Sequence, residues 1–148
     1  MTPQGIGGLD AGDVSFVRQA LGNSSQQDAL RTIDIFNDYF QKANVSPEQG
    51  EKIVQAAVDG GSKFDRDANT VMAFKPLPPN AAQIYFFSVD RPEAFAQSMI
   101  RLLAPLKRSG VQIVYMNKVD PTIVKTMQVV GLQTQQSDRP DFKIMAAL

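Results

Sequence analysis

Val119-Asp120-Pro121-Thr122-Ile123-Val124-Lys125-Thr126-Met127-Gln128-Val129-Val130-Gly131-Leu132 is the stretch on which the fold turns. Asp120 before Pro121 is a helix start: a carboxylate can accept the free N–H groups of the first turn, and proline at the first helical position has no N–H to leave unsatisfied. Gly131 is a helix stop. Between them Ile123, Val124, Met127 and Val130 repeat at helical spacing, so one face is apolar and packs inward. Upstream, Val111 to Tyr115 reads as a buried strand, and Arg91 to Arg108 as a helix with Phe95, Met99, Leu102, Leu103 and Leu106 on one face. Gln83 to Val89, apolar and aromatic, reads as the central strand. Downstream, Leu132 to Gln136 and Phe142 to Ala146 form a closing hairpin around Ser137-Asp138-Arg139-Pro140-Asp141.

The first half adds two helices. Ser24 to Lys42 is amphipathic, capped by Ser24 or Ser25, with Leu30, Ile33, Phe36 and Phe40 at helical spacing. Ser46-Pro47-Glu48-Gln49 opens the second, which Gly60-Gly61 ends. Asp65-Arg66-Asp67-Ala68-Asn69 reads as a polar hairpin turn. Its carboxylate spacing brushes a calcium loop, but the sixth and twelfth positions are Thr70 and Pro76, not Gly and Glu. Thr70 to Lys75 is a strand, and Pro76-Leu77-Pro78-Pro79-Asn80 a connector. Asp13 to Ala20 fits either a first strand or an early helical turn, and a short strand near 13–18 would complete the sheet. The Gly-rich residues 1–12 read as a flexible arm, and 13–148 as one domain. The class is α/β: a mixed central sheet flanked by helices.

The 148 residues suit a single core. Fifteen basic and fifteen acidic side chains cancel, giving no direct nucleic-acid signal. Cysteine and histidine are both absent, which excludes thiolate, Ser-His-Asp and His-metal chemistry by inventory. No apolar run is long enough to span a membrane, and the N-terminus lacks the pattern of a secretory leader. Synthesis in a cytoplasm is therefore expected. No metal site is expected.

The order from Gln83 onward resembles the GNAT superfamily of acyl-CoA N-acyltransferases. That family runs from its central strand through a helix and a strand into a helix opening Asn-Pro. A Tyr follows seven residues after the Asn, and Gly-Phe at eleven and twelve. Here Asp120-Pro121 and Gly131-Leu132 hold the outer positions, and Ser109-Gly110-Val111 matches the helix-to-strand turn. The resemblance implies the GNAT-like fold. It also implies a place for acetyl-CoA, at Phe87, Ser88, Val89, Ala94, Phe95 and Ala96 if the protein is active.

The departures bear on chemistry. The family carries glycines at the start of the helix after the central strand, where backbone N–H groups meet the CoA pyrophosphate. Those positions fall near Glu93 and Phe95 in Val89-Asp90-Arg91-Pro92-Glu93-Ala94-Phe95-Ala96. Pro92 removes one donor, and Asp90 with Glu93 reads as a capping box that satisfies others. Like charges about 4 Å apart oppose each other by about 4 kcal/mol at an effective dielectric constant of about 20, so both carboxylates disfavour a diphosphate. The family Tyr falls on Met127, which has no proton to donate. Pro105 is expected to kink or shorten its helix. Tyr85 and Tyr115 are read as packed strand residues, Asp120 as an N-cap, and Lys107-Arg108 as a solvated helix end.

No catalytic residue is assigned. The chain further resembles degenerate, acetyltransferase-like virion proteins of short-tailed phages. That implies a non-catalytic structural or assembly part that binds other protein subunits, located in a virion. The alternative is a divergent acyl-CoA-dependent N-acyltransferase using acetyl-CoA.

Overall fold

The structure, a computed structural model, describes residues 9–148. A single turn of 3-10 helix, Ala11–Asp13, leads into α1 (Val14–Ala20), α2 (Gln26–Lys42) and α3 (Pro47–Asp59). Then come β1 (Lys63–Asp67), β2 (Thr70–Leu77), β3 (Ala81–Ser88), α4 (Pro92–Arg108), β4 (Ile113–Met116), α5 (Pro121–Val129), β5 (Thr134–Gln136) and β6 (Ile144–Ala147). The six strands form one sheet in the order β1-β2-β3-β4-β6-β5. Only β3 and β4 run parallel, and α4 makes the crossover between them.

The sheet divides the core in two. Strand side chains alternate faces, so β2 sends Val71 and Ala73 one way and Met72 the other. On one side Phe36 and Phe40 of α2 meet Phe64 and Phe87 edge-on, with Phe36 ring centroids 5.1 Å from each strand phenylalanine. On the other, Phe95, Met99 and Leu102 of α4 and Ile123 and Met127 of α5 cover Ile84, Phe86 and Val114.

Local chemistry explains most boundaries. Ser25 Oγ accepts from Asp28 N, and Ser46 Oγ from Gln49 N, each satisfying a free donor of a first turn. Asp120 Oδ1 accepts from Thr122 N at 3.0 Å and Ile123 N at 3.3 Å. Gly131 takes φ +93 after α5, a left-handed turn that suits glycine.

Several expectations are corrected. Residues 13–18 belong to a 3-10 turn and α1, not to a strand: Val17 and Ala20 are buried at helical spacing. The polar stretch at Asp65 is partly a strand, β1, with only Phe64 of its side chains fully buried; the hairpin turn itself sits at Ala68, φ 52. An edge strand contacts solvent along one flank, so charges are tolerated there and its sequence looks like loop. Strand β2 continues through Pro76 to Leu77. Leu30 is exposed, and Ala29 and Thr32 face inward in its place. Helix α4 is not shortened by Pro105, which lies in the last turn; the helix reaches Arg108. The helical donor that proline lacks would have served the carbonyl of Arg101, which is solvent-exposed. The expected arm lies outside the described residues over 1–8. Leu9 is buried and exchanges hydrogen bonds with Asn37: its N–H donates to Oδ1 at 3.1 Å, and its carbonyl accepts from Nδ2 at 2.8 Å.

Candidate functional site at the parting of two strands

Strands β3 and β4 pair only from Ala81↔Ile113 to Gln83↔Tyr115. From Ile84 to Ser88, β3 pairs with β2 alone. Strand β4 ends at Met116, and the chain turns through Asn117 and Lys118 to Asp120. The two parallel strands therefore diverge, and a hollow opens on each side of the gap. The smaller, about 240 Å³, is lined by Ser88, Asp90, Phe95, Asp120, Thr122 and Ile123, and by Tyr39 and Lys42 of α2. The larger, about 510 Å³, lies between the α2–α3 pair and the sheet.

A chain of three polar side chains crosses the gap. Tyr85, on β3, donates to Asp120 Oδ2 at 3.0 Å. The Tyr39 hydroxyl, from α2, lies 3.3 Å from that of Tyr85. With the Tyr85 proton directed at the carboxylate, Tyr39 donates to the Tyr85 oxygen. Burial pushes the Tyr85 phenol well above its usual range, and Tyr39 and the Asp120 charge push the same way. Burial raises Tyr39 too. Both phenols are neutral hydrogen-bond donors at neutral pH, and neither is a base. Tyr39 was not singled out in the sequence; it sits on a helix between Phe36 and Phe40 and reads as part of an apolar face.

The six residues the resemblance marked for acetyl-CoA gather at one end of β3 and the start of α4, and two of their backbone donors are engaged. Val89 N donates to Asn69 O at 3.1 Å, and Phe95 N to Arg91 O at 2.9 Å. Ser88 Oγ lies 2.7 Å from Thr70 Oγ1 and accepts from Asp90 N at 3.2 Å. Ser88 and Phe95 line the smaller hollow and Phe87 the larger; Val89, Ala94 and Ala96 line neither.

The expected capping box does not form. The N-cap of α4 is Arg91, with no side-chain cap, and Pro92 is the first helical residue. Proline disfavours helical backbone in the residue before it, so Arg91 stays extended and Asp90 falls one position too early to cap. Asp90 instead accepts from Asn69 N at 3.1 Å, Asn69 Nδ2 at 3.2 Å and Thr70 Oγ1 at 3.1 Å. It closes the β1–β2 hairpin onto the end of β3. Glu93 stands exposed in the first turn. At this helix start Pro92 lacks an N–H, no glycine is present, and Asp90 and Glu93 stand on either side of the proline.

Two further side chains fall into structural places. Tyr115 donates to Asp138 at 2.7 Å, with Arg139 stacked 4.8 Å from its ring centroid; the hydrogen bond to Asp138 raises its phenol. Met127 is 1% exposed and packs in the core.

No family model matches this chain, and no curated protein matches it. Among solved structures it is similar to a protein assigned to the GNAT family of acetyltransferases from Desulfovibrio desulfuricans, at 14% identity over 94% of this chain and 93% of that one, TM-score 0.41. It is also similar to one described as a ribosomal-protein-serine acetyltransferase from Vibrio cholerae, at 14% identity over 95% of this chain and 90% of that one, TM-score 0.46. At this identity the likeness concerns the path of the chain alone.

Proposed function

We propose that the chain is a GNAT-like domain without acyl-transfer chemistry, used as an assembly part that binds other protein subunits, and that its setting is a virion. The observation that carries the non-catalytic reading is the start of α4. Proline occupies its first position and removes a donor, no glycine opens it, and Asp90 and Glu93 flank it where an anion would have to rest. The adjoining hollow of about 240 Å³ is smaller than the roughly 300–1,000 Å³ of sites that enclose small ligands. The buried thioether of Met127 stands where the resemblance places a proton-donating phenol. The phage setting rests on the resemblance to acetyltransferase-like virion proteins.

Calorimetric titration with acetyl-CoA tests the loss of chemistry, and no heat of binding is expected. Sedimentation of the purified protein, with cross-linking in its native particle, tests the assembly role. A strict monomer that touches no companion subunit would end that part of the reading.

One observation favours a divergent acyl-CoA-dependent N-acyltransferase instead. The strands still part, leaving the β4-facing backbone of Ile84 to Ser88 without a strand partner. A thermal shift of several degrees with millimolar acetyl-CoA would support that reading against the first.

A further inference from the structure

The hollow of about 510 Å³ on the α2–α3 side exists because its walls are built from small residues. Ala56, Ala57 and Gly60 of the α3 end face Ala73 of β2 across it, and Ala43 stands at the end of α2. A close-packed domain interior normally fills such space. Its inner surface is aromatic and apolar: Phe40 and Phe87 are buried beneath it, and Tyr39 and Tyr85 present ring and hydroxyl together.

The charged groups in its lining share one sign. Lys75 enters from β2 and Lys118 from the loop after β4, and no Asp or Glu lines the hollow. Lys75 is half-buried, and its stem runs towards the end of α3, where a Cβ placed on Gly61 would stand 3.7 Å from Lys75 Cε. Among the described residues neither lysine forms an ion pair or a side-chain hydrogen bond. The other polar contributors, Gln83, Asn117 and Ser62, are uncharged. An apolar interior with two unmatched cations is complementary to a ligand with an apolar body and one anionic end.

We infer that this hollow binds a small apolar carboxylic acid, its carboxylate between Lys75 and Lys118 and its body against Tyr85 and Phe87. A primary amine is the wrong ligand here, since its ammonium would face two lysines, while the Asp120 carboxylate behind Tyr85 is taken up by the Tyr85 hydroxyl and the α5 cap. The inference concerns a different hollow from the one beside α4 and stands whether or not acetyl-CoA binds.

The test is an amide-resolved NMR titration of the full chain with 3-phenylpropionate, 3-phenylpropanol and 3-phenylpropylamine. The acid should bind about tenfold more tightly than the alcohol, the amount expected for a hydrogen bond to a charged group, and the amine should bind weakest. Shifts should centre on Ala57, Ala73 and Asn117. Lys75→Met and Lys118→Met should each weaken the acid severalfold and leave the alcohol unchanged. Ala56→Leu, which fills the hollow, should abolish both. Equal binding of acid and alcohol would overturn the inference, as would acid-induced shifts confined to another part of the surface or no shift at all with the acid. If a lysine variant fails to fold, the three-ligand comparison on the unaltered protein still decides.

Discussion

Tyr85 donates its phenolic proton to Asp120 across the gap where β3 leaves β4, with 3.0 Å between oxygen atoms. The same carboxylate caps α5 through its other oxygen. One side chain thus fixes where a helix begins and how that helix meets the sheet.

Replacing Asp120 separates those roles. Asp120→Ala removes the cap and the Tyr85 acceptor together and should cost about 2 kcal/mol. Asp120→Asn keeps a capping oxygen and should cost less than half as much. Urea unfolding midpoints of the two variants check this; equal losses would show that the cap is not what matters.

Alkaline pH should weaken the fold through the same cluster. Tyr39 and Tyr85 have phenols raised in the folded state, whereas the unfolded chain releases those protons near pH 10. Above that value the folded state holds more protons than the unfolded one, so stability falls as pH rises. Below it the contribution is complete. Tyrosine absorbance and unfolding midpoints followed together from pH 8 upward should show the phenols ionising with loss of structure. Free titration of all three tyrosines near pH 10 in a folded protein would contradict this.

At the acid end Asp67 works with the opposite sign. Arg101 Nε lies 3.0 and 2.9 Å from its two oxygens, and this hydrogen bonding holds the carboxyl below its usual range. The group therefore stabilises the fold above about pH 3.9, and that stabilisation is lost as pH falls through the folded value. Arg101→Gln should return the Asp67 carboxyl signal in NMR titration to the ordinary carboxylate range and flatten the acid limb of the stability curve.

Gly50 should reverse a familiar rule. Glycine to alanine inside a helix usually gains up to about 1 kcal/mol. Here a Cβ would stand 2.6 Å from Cδ2 and 2.9 Å from Cγ of Phe40, a buried ring held by its neighbours. Gly50→Ala should therefore destabilise, by about 1–3 kcal/mol of overpacking. A raised melting temperature for that variant would mean the ring moves freely.

Much of the frame was legible because its signals are local. Asp120-Pro121 and Ser46-Pro47-Gln49 cap within their own first turns, so the residues that define the boundary are adjacent in sequence. β1 was missed because its charges are those of a turn, and only its edge position permits them. Residues 13–18 were too few for periodicity to separate strand from helix. The site was less legible than the fold. Tyr39, Tyr85 and Asp120 come from a helix, a strand and a cap, and nothing in their neighbours shows that they meet. The Asp90 capping box failed for a readable reason: Pro92 already named Arg91 as the residue before the helix.

The sheet that parts the core into two clusters acts as a bulkhead. Damage on one side should stay there. Ile33→Val, on α2, and Ile123→Val, on α5, each remove one buried methyl and should cost about 1 kcal/mol. Their double variant should show the simple sum, within about 0.5 kcal/mol. Tyr85 packs against both clusters. In a Tyr85→Phe background the ring that rivets the two sides remains, so the sum should still hold.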